Sequence, residues 1–428
     1  MTTLSRRAFH TSVLAGTAAL APTIVPRSLR GADAPSGKIT LGFIGVGMMG
    51  RGHLGAFLGM NQCQVVAVSD IEPTRLAEAK KSVEARYGKD KAKGTWKGVT
   101  AYADFRDLLA RKDIDAVVIS TPDHWHAAQC VLAANAKKDI YCEKPLTNSI
   151  AQGRRVVQAV AKNERIFQTG SQQRSEFGGK FKQAAEYVRN GRIGKLKTVR
   201  IGVSGPARAC DLKESRPPAG TDWDLWLGPA AYRGYSEILC PKGMHKHFPA
   251  WREYREFAGG GLADMGAHHF DIAQWAMDMD GSGPVKVIPP SDEKATTGLK
   301  LIYASGVEVI HGGPSGCTFE GSEGTIYVDR GVLKPSKDDL FKTPLTDKDV
   351  RLNPSTNHRL NWLECIASRK SPICTAETGH RTSSICQSGN IGYWLGRTLT
   401  WDPARERFVD DAGADRLLDW EPRAPWRF

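Results

Sequence analysis

From residue 38 onward, short apolar runs alternate with longer amphipathic ones. The pattern predicts strands at 38–44, 64–69, 115–120, 139–142 and 166–169. Between them lie helical stretches from the glycine turn at 45–50 to about 58, and at 74–87, 104–111, 125–135 and 150–162, with a Lys- and Gly-rich loop at 89–100. Strands alternating with helices at this spacing make a mainly parallel, doubly wound sheet. After about residue 170 the rhythm changes. A helix at 180–190 precedes strands at 196–203, 285–288, 301–303, 307–310, 316–320 and 324–328, many separated by glycine. Half-buried alternation of this kind belongs to a large, open, mostly antiparallel sheet. Helices are predicted at 263–277, 360–368 and 379–399. The fold class is therefore α/β, with a doubly wound N-terminal sheet and a C-terminal α+β domain. The segments expected are 1–34 as a targeting peptide, 38–165, 166–400, and a tail at 401–428 packing back on the body. A long connection, 204–255, carries Trp223, Trp226, Tyr232, Tyr235 and Trp251, either as core plugs or as the lining of a sugar-sized cleft.

The first strand runs directly into Gly45-Val46-Gly47-Met48-Met49-Gly50, and the second ends at Asp70. This is the strand, G-x-G-x-x-G, helix, strand, acid arrangement of a dinucleotide site. Gly45 permits the tight turn, Gly47 lets the backbone approach a diphosphate, and Gly50 lets helix and strand pack closely. The N–H groups of the helix start, at Met48 and Met49, face the phosphates. Asp70 would accept from the ribose hydroxyls, which favours NAD, while Arg75 nearby leaves NADP open. The sheet's other carboxyl ends carry Thr121-Pro122, with His124 and His126 after them, and Glu143-Lys144-Pro145, where ligands of such sheets bind.

Composition places the 428-residue chain among ordinary globular proteins, with 41% hydrophobic and 25% charged residues. The net charge is +13, of which residues 1–34 contribute +3. No long basic block or base-reading motif accompanies it, so nucleic acid is not an expected partner. Nine cysteines at irregular spacings, with no C-x-x-C, read as buried small hydrophobes rather than a disulfide framework or zinc ribbon. At the N-terminus, Ser5-Arg6-Arg7-Ala8-Phe9 followed by a mildly apolar stretch is similar to a twin-arginine export signal. The expectation is an exported, periplasmic protein that meets the twin-arginine machinery already folded, cleaved after Ala34, cleaved elsewhere, or retained as a tether.

Two constellations carry chemistry. Lys144, at a strand's carboxyl end, would place an ammonium beside a reacting hydroxyl and hold a developing alkoxide. Asp264 and His268 share one helix face at i,i+4, so the carboxylate would orient the imidazole and the imidazole would exchange the hydroxyl proton. Arg174, Trp251 and His269 are candidate substrate contacts. Asp264 and His268 also have ligand spacing, but no clear third ligand appears, and no metal is expected.

Together these motifs resemble the Gfo/Idh/MocA oxidoreductases over nearly everything after residue 38. The resemblance implies a Rossmann domain, an open-sheet second domain, and a dimer or tetramer. It also implies a carbohydrate or polyol substrate and bound NAD(P), with Lys144, Asp264 and His268 as the reacting set. Gly45, Gly47, Met48, Met49, Gly50, Asp70, Thr121, Pro122, His126, Glu143 and Lys144 would hold the cofactor. Export removes the supply of free NAD, so the cofactor is expected to be tightly bound and regenerated in place. Net dehydrogenation, a redox-neutral glycosidase reaction through a keto-sugar, and a non-catalytic sugar- or nucleotide-binding protein all stay open.

Overall fold

The computed structural model describes residues 37–428. The expected export signal at 1–34 lies outside them. The first sheet contains β1 (Ile39–Ile44), β2 (Cys63–Ser69), β3 (Thr100–Tyr102), β4 (Ala116–Ile119), β5 (Asp139–Cys142) and β6 (Phe167–Thr169). Its order is β3-β2-β1-β4-β5-β6, with the recorded pairings all parallel. The chain order reverses between β1 and β4, and a crevice opens at their carboxyl ends.

Helices α1 (Met48–Leu58), α2 (Pro73–Ala92), α3 (Phe105–Leu109), α4 (Asp123–Asn135) and α5 (Ile150–Lys162) cover the sheet. Their starts have local causes. Glu72 caps α2 by accepting from the Arg75 amide, and Pro73 fits the first helical position, whose N–H would be unpaired anyway. Asp104 and Ser149 cap α3 and α5 in the same way. Helix α2 runs five residues past Tyr87 into the expected loop.

The second domain pairs a helical layer with an antiparallel sheet. Helices α6 (Lys180–Arg189), α8 (Gly260–Asp264), α9 (Gly266–Ala276) and α11 (Ala376–Leu395) lie on one side, and α7 (Trp223–Leu227) sits in the long connection. The strands are β7 (Leu196–Gly202), β8 (Lys286–Ile288), β9 (Lys300–Ile302), β10 (Glu308–Gly321), β11 (Thr325–Asp329), β12 (Val332–Pro335), β13 (Leu399–Asp402) and β14 (Arg407–Phe408). Their order is β12-β11-β10-β9-β8-β13-β14, with β7 against β10. Gly312 and Gly313, both at positive φ, turn β10 so that each half lies against β7. The two strands predicted at 307–310 and 316–320 are these halves. Phe181, Leu262, Phe270, Val309, Phe319 and Ile326 form the core between helices and sheet.

Two expected domain limits shift. β6 pairs with β5, so the first sheet runs through Thr169 rather than ending at 165. Helix α10 (His358–Ser368) leaves the second domain and packs on the first sheet, where Trp362 is fully buried against Phe57 and Tyr141 at ring distances of 5.8 and 5.7 Å. The C-terminal tail also returns to the first domain. Trp426 packs edge-on to Trp125 at 4.9 Å.

Candidate functional site

The glycine turn is built as its spacing requires. Gly45 has φ +81, a region that a side chain disfavours, and a Cβ there would meet the backbone of Ser120 and Thr121 at 2.9 Å. A Cβ on Gly50 would meet the Gly45 carbonyl oxygen at 2.1 Å. Gly47 differs, since a Cβ there meets nothing within 4 Å. The open side of Gly47 faces a cavity of about 820 Å³, adjoining solvent included. Gly45, Gly47, Met48, Met49, Asp70, Thr121 and Pro122 line it. Asp70 accepts from the amides of Val46 (2.8 Å) and Glu72 (3.0 Å), which ties the turn to β2 and leaves carboxylate lone pairs toward the cavity. Burial pushes the Asp70 carboxyl above its ordinary value, against the charge of Arg75. The Ser120 hydroxyl, also on the cavity wall, has no protein partner. An open glycine cradle, a helix start, an acid and an unpartnered hydroxyl fit a dinucleotide.

The segment 239–252 roofs this cavity. Leu239, Cys240, Pro241, His245, Pro249, Trp251 and Arg252 face it from above. Two arginines of the first domain latch the roof. Arg75 donates Nε to the Gly243 carbonyl at 2.9 Å and a terminal nitrogen to the Pro241 carbonyl. Arg51 donates to the His245 carbonyl at 2.7 Å. Trp223, Trp226, Tyr235, Trp251 and Tyr254 form a buried cluster behind the roof, and Trp226 and Trp251 also line the cavity. The core reading holds for Trp223, Trp226, Tyr235 and Trp251, whereas Tyr232 is exposed.

Next to the cavity, Lys144 leaves β5 and donates Nζ to Asp264 twice, to Oδ1 at 2.5 Å and to the backbone oxygen at 2.9 Å. The expected Asp264–His268 pair is not what forms. The chain stays helical through Met265, between α8 and α9, whose carbonyl accepts from the His268 amide, and the Asp264 carboxylate turns to Lys144 instead. Burial pushes the Asp264 carboxyl up, but the charges of Lys144 and Arg252 outweigh it and hold it below its ordinary value. His268 is buried, and its Nδ1 has no partner. Burial first, then the Lys144 charge, keeps its imidazole well below the ordinary histidine range, so the ring is held neutral.

Other expected contacts are spent elsewhere. His126 is buried with its ring nitrogens 2.8 Å from the Pro145 carbonyl and 3.0 Å from the Thr121 carbonyl, and the neutral ring donates its single N–H to one of them. Glu143 turns inward, where Oε1 accepts from His53 Nε2 (2.6 Å) and Gln172 (2.7 Å). Because Arg359 donates to His53 Nδ1 at 2.9 Å, His53 carries its proton on Nε2. Burial opposes ionisation of Glu143, yet His53 and then Lys144 win and hold its carboxyl at about 2. His269 is buried, with Nδ1 3.3 Å from Gln173.

Arg174 is the clearest correction. It is 1% exposed and forms paired bonds with Asp271 and Asp280, all at 2.7 Å. Arg174→Ala is expected to cost about 3–5 kcal/mol of stability, because it strands the fully buried Asp271. Chemical denaturation checks this, and a loss under 1 kcal/mol would return Arg174 to the list of substrate contacts.

Three residues near Lys144 carry no sequence signal of their own. Asp123 begins α4, is buried, and has a partnerless Oδ2. Burial and then the Asp264 charge push its carboxyl well above the usual range. Arg252 reaches Asp264 at 3.7 Å from the roof. His53 reaches Glu143 from α1, 90 residues away in the chain. Among the described residues, no group of three or more His, Cys, Asp or Glu could hold a metal ion.

Comparison with known proteins agrees with this architecture. A family profile described as "Oxidoreductase family, NAD-binding Rossmann fold" matches residues 39–171. A second, "Oxidoreductase family, C-terminal alpha/beta domain", matches residues 207–428. The chain is 28% identical over 237 residues to myo-inositol 2-dehydrogenase of Thermotoga maritima, covering 55% of this chain and 54% of that protein. The match therefore spans about half that relative's length. It is 35% identical over 132 residues to a glycosyl hydrolase family 109 protein of Shewanella sp. (strain ANA-3), covering 31% of this chain and 28% of that protein. Among solved structures, the WlbA dehydrogenase of Bordetella pertussis, in complex with NADH and UDP-GlcNAcA, shares the fold. The TM-score is 0.58 at 19% identity, over 85% of this chain and 99% of that one.

Proposed function

The chain belongs to the Gfo/Idh/MocA oxidoreductases, and from that membership we propose that it oxidises a carbinol of a sugar or polyol, with NAD as hydride acceptor. The observation that carries this reading is the Lys144–Asp264 pair beside the neutral His268, next to a glycine cradle open at Gly47. Gly45, Gly47, Met48, Met49, Asp70, Thr121 and Pro122 would hold the cofactor. When bound, it supplies hydride acceptance. The rest belongs to the protein. The Lys144 ammonium polarises the substrate oxygen and offsets its developing charge. His268 takes the hydroxyl proton, and Asp264 holds the ammonium in place with two oxygens.

NAD is favoured over NADP because Asp70 faces the cavity while Arg75, the residue that could meet a 2′-phosphate, is bound to the roof carbonyls. The same latch supports a retained cofactor, which the export signal in residues 1–34 would demand. Arg75→Ala is expected to speed NADH release about tenfold or more, since two hydrogen bonds closing the roof are lost. Stopped-flow displacement of NADH checks this; an unchanged release rate would mean the roof does not limit exchange.

A redox-neutral glycosidase is the second reading, favoured by the likeness to the Shewanella protein and by the latched roof. There the transient sugar carbonyl acidifies the neighbouring C–H, that proton is removed as the glycosidic C–O bond breaks and the aglycone leaves as its alcohol, water adds to the resulting enone, and the hydride returns to the carbonyl. One experiment separates the readings. Denature the purified protein and look for released NAD(H) or NADP(H). Then offer free sugars and aryl glycosides with and without added NAD. Steady NADH formation supports net oxidation, and glycoside cleavage without it supports the second reading. If neither occurs and no nucleotide is bound, the enzyme reading fails.

A further inference from the structure

Arg252 sits where the cofactor cavity meets the Lys144 cluster, in the short turn Ala250–Glu253 that ends the roof. Its guanidinium is fixed in place, 4.1 Å from the centre of the Trp251 ring and 4.9 Å from that of Phe248. One terminal nitrogen donates to the Pro249 carbonyl at 3.2 Å. The other has no protein partner among the described residues. Its carboxylate neighbour is Asp264, at 3.7 Å from Nε, and Lys144 already holds that same oxygen at 2.5 Å. Two cations thus share the Asp264 carboxylate in a half-buried site, while Glu143, whose charge also reaches Lys144, is engaged by His53 and Gln172. Asp123 makes no ion pair with Arg252: its Oδ2 is buried without a partner, and burial pushes its carboxyl well above the usual range. Arg330, which is exposed, donates Nε to Gln173 Oε1 at 3.2 Å and forms no side-chain ion pair among the described residues. Its charge is felt at the His268 ring. A half-buried guanidinium with a free donor edge calls for an anion.

The cofactor's diphosphate is a poor claimant. Its cradle lies at the start of α1, where Gly47 is open. Arg252 also borders that cavity, but its carboxylate neighbour is Asp264, at the end of α8 on the lysine's side. We infer that the substrate is a sugar acid, whose carboxylate is received by the free edge of Arg252 while its carbinol faces Lys144 and His268. This rests on the oxidoreductase reading above and narrows its substrate class. An arginine edge pairs with the planar carboxylate in a fixed geometry, which a neutral hydroxymethyl group in the same place would not exploit.

The test pairs hexuronates with the corresponding neutral hexoses on the purified, NAD-loaded protein. Binding is read from the fluorescence of NADH on the NADH-loaded protein, and turnover from NADH formation by the NAD-loaded one. The hexuronate is expected to bind at least about 30-fold more tightly, the scale of one desolvated charge-assisted pair. In Arg252→Gln that ratio collapses towards unity through KM rather than kcat, and Arg252→Lys keeps part of it. Equal binding of acid and neutral sugar by the unaltered protein overturns the inference while leaving the oxidoreductase reading intact. A preference for a hexose phosphate over the hexuronate also overturns it. So does Arg252→Gln weakening NAD itself as much as the sugar acid, which would assign Arg252 to the diphosphate. If no sugar is bound or oxidised although NAD is bound, the oxidoreductase reading falls, and this inference falls with it.

Discussion

Lys144→Ala is expected to lower hydride transfer by about 10³-fold or more while the protein still folds and still takes up NAD. The ammonium is the one cation hydrogen-bonded to Asp264, through its carboxylate at 2.5 Å and its backbone oxygen at 2.9 Å. Removing a preorganised donor to a developing oxyanion costs roughly 10²–10³ in rate. Here the loss has a second part, because the Asp264 carboxylate stays behind and faces the same developing negative charge with Arg252 at 3.7 Å as its remaining partner. The fold should survive, since Lys144 is not part of a hydrophobic cluster and the strand it leaves is held by β4 and β6. NAD should still bind, since the glycine turn and Asp70 are untouched. Asp264→Asn gives an intermediate loss, because Nζ keeps its bond to the backbone oxygen. Single-turnover NADH formation, with NADH binding as the control, measures both. A Lys144→Ala enzyme within tenfold of the unaltered one would remove the lysine from the chemistry.

The parts of this site written in local sequence were legible, and those made by long-range contact were not. Strands β1 and β2, the glycine turn and Asp70 lie within 32 residues, and each imposes its own backbone demand. Helix α5 and strand β5 have the predicted limits, because periodicity, the Ser149 cap and a turn coincide there. Strand β3 was missed because three residues, partly exposed, carry no period. Strands β12 and β14 are likewise short and weakly patterned, whereas β13 alternates buried and exposed residues but starts inside the helix predicted to run to 399. The Asp264–His268 pairing failed on a single point. An i,i+4 rule sees only residues of one helix, and the Asp264 carboxylate is taken instead by Lys144, 120 residues earlier. His126, Glu143 and Arg174 were expected at ligands because they flank strand ends. Each is instead satisfied by a partner that no spacing reveals, such as His53 for Glu143 and Asp271 for Arg174. A titratable residue at a strand end marks the neighbourhood of a site; its partners decide whether it faces inward or outward.

The glycine cradle yields the second large effect, and it separates a residue that shapes the turn from one that leaves room. Gly50→Ala drives a Cβ to 2.1 Å from the Gly45 carbonyl oxygen. Neither side yields easily. Gly50 is held in the first turn of α1, and Gly45 is wedged against the backbone of Ser120 and Thr121, where its amide also donates to the Ser69 carbonyl. Overpacking of this kind costs about 1–3 kcal/mol, so both the thermal midpoint and NAD affinity should fall. Gly47→Ala behaves differently. Its φ of −67 and extended ψ suit alanine, and the new methyl group meets no protein atom within 4 Å. The NAD-free protein should keep its stability, or gain a few tenths of a kcal/mol from a less flexible unfolded chain. NAD affinity should nonetheless drop by roughly 10²-fold, because the methyl group occupies the space through which the backbone would approach the diphosphate. Calorimetric melting of the NAD-free proteins and NADH titration read the two quantities independently. If Gly47→Ala binds NADH as well as the unaltered chain, the open side of that glycine is not where the diphosphate lies. The cavity under the roof would then need another occupant.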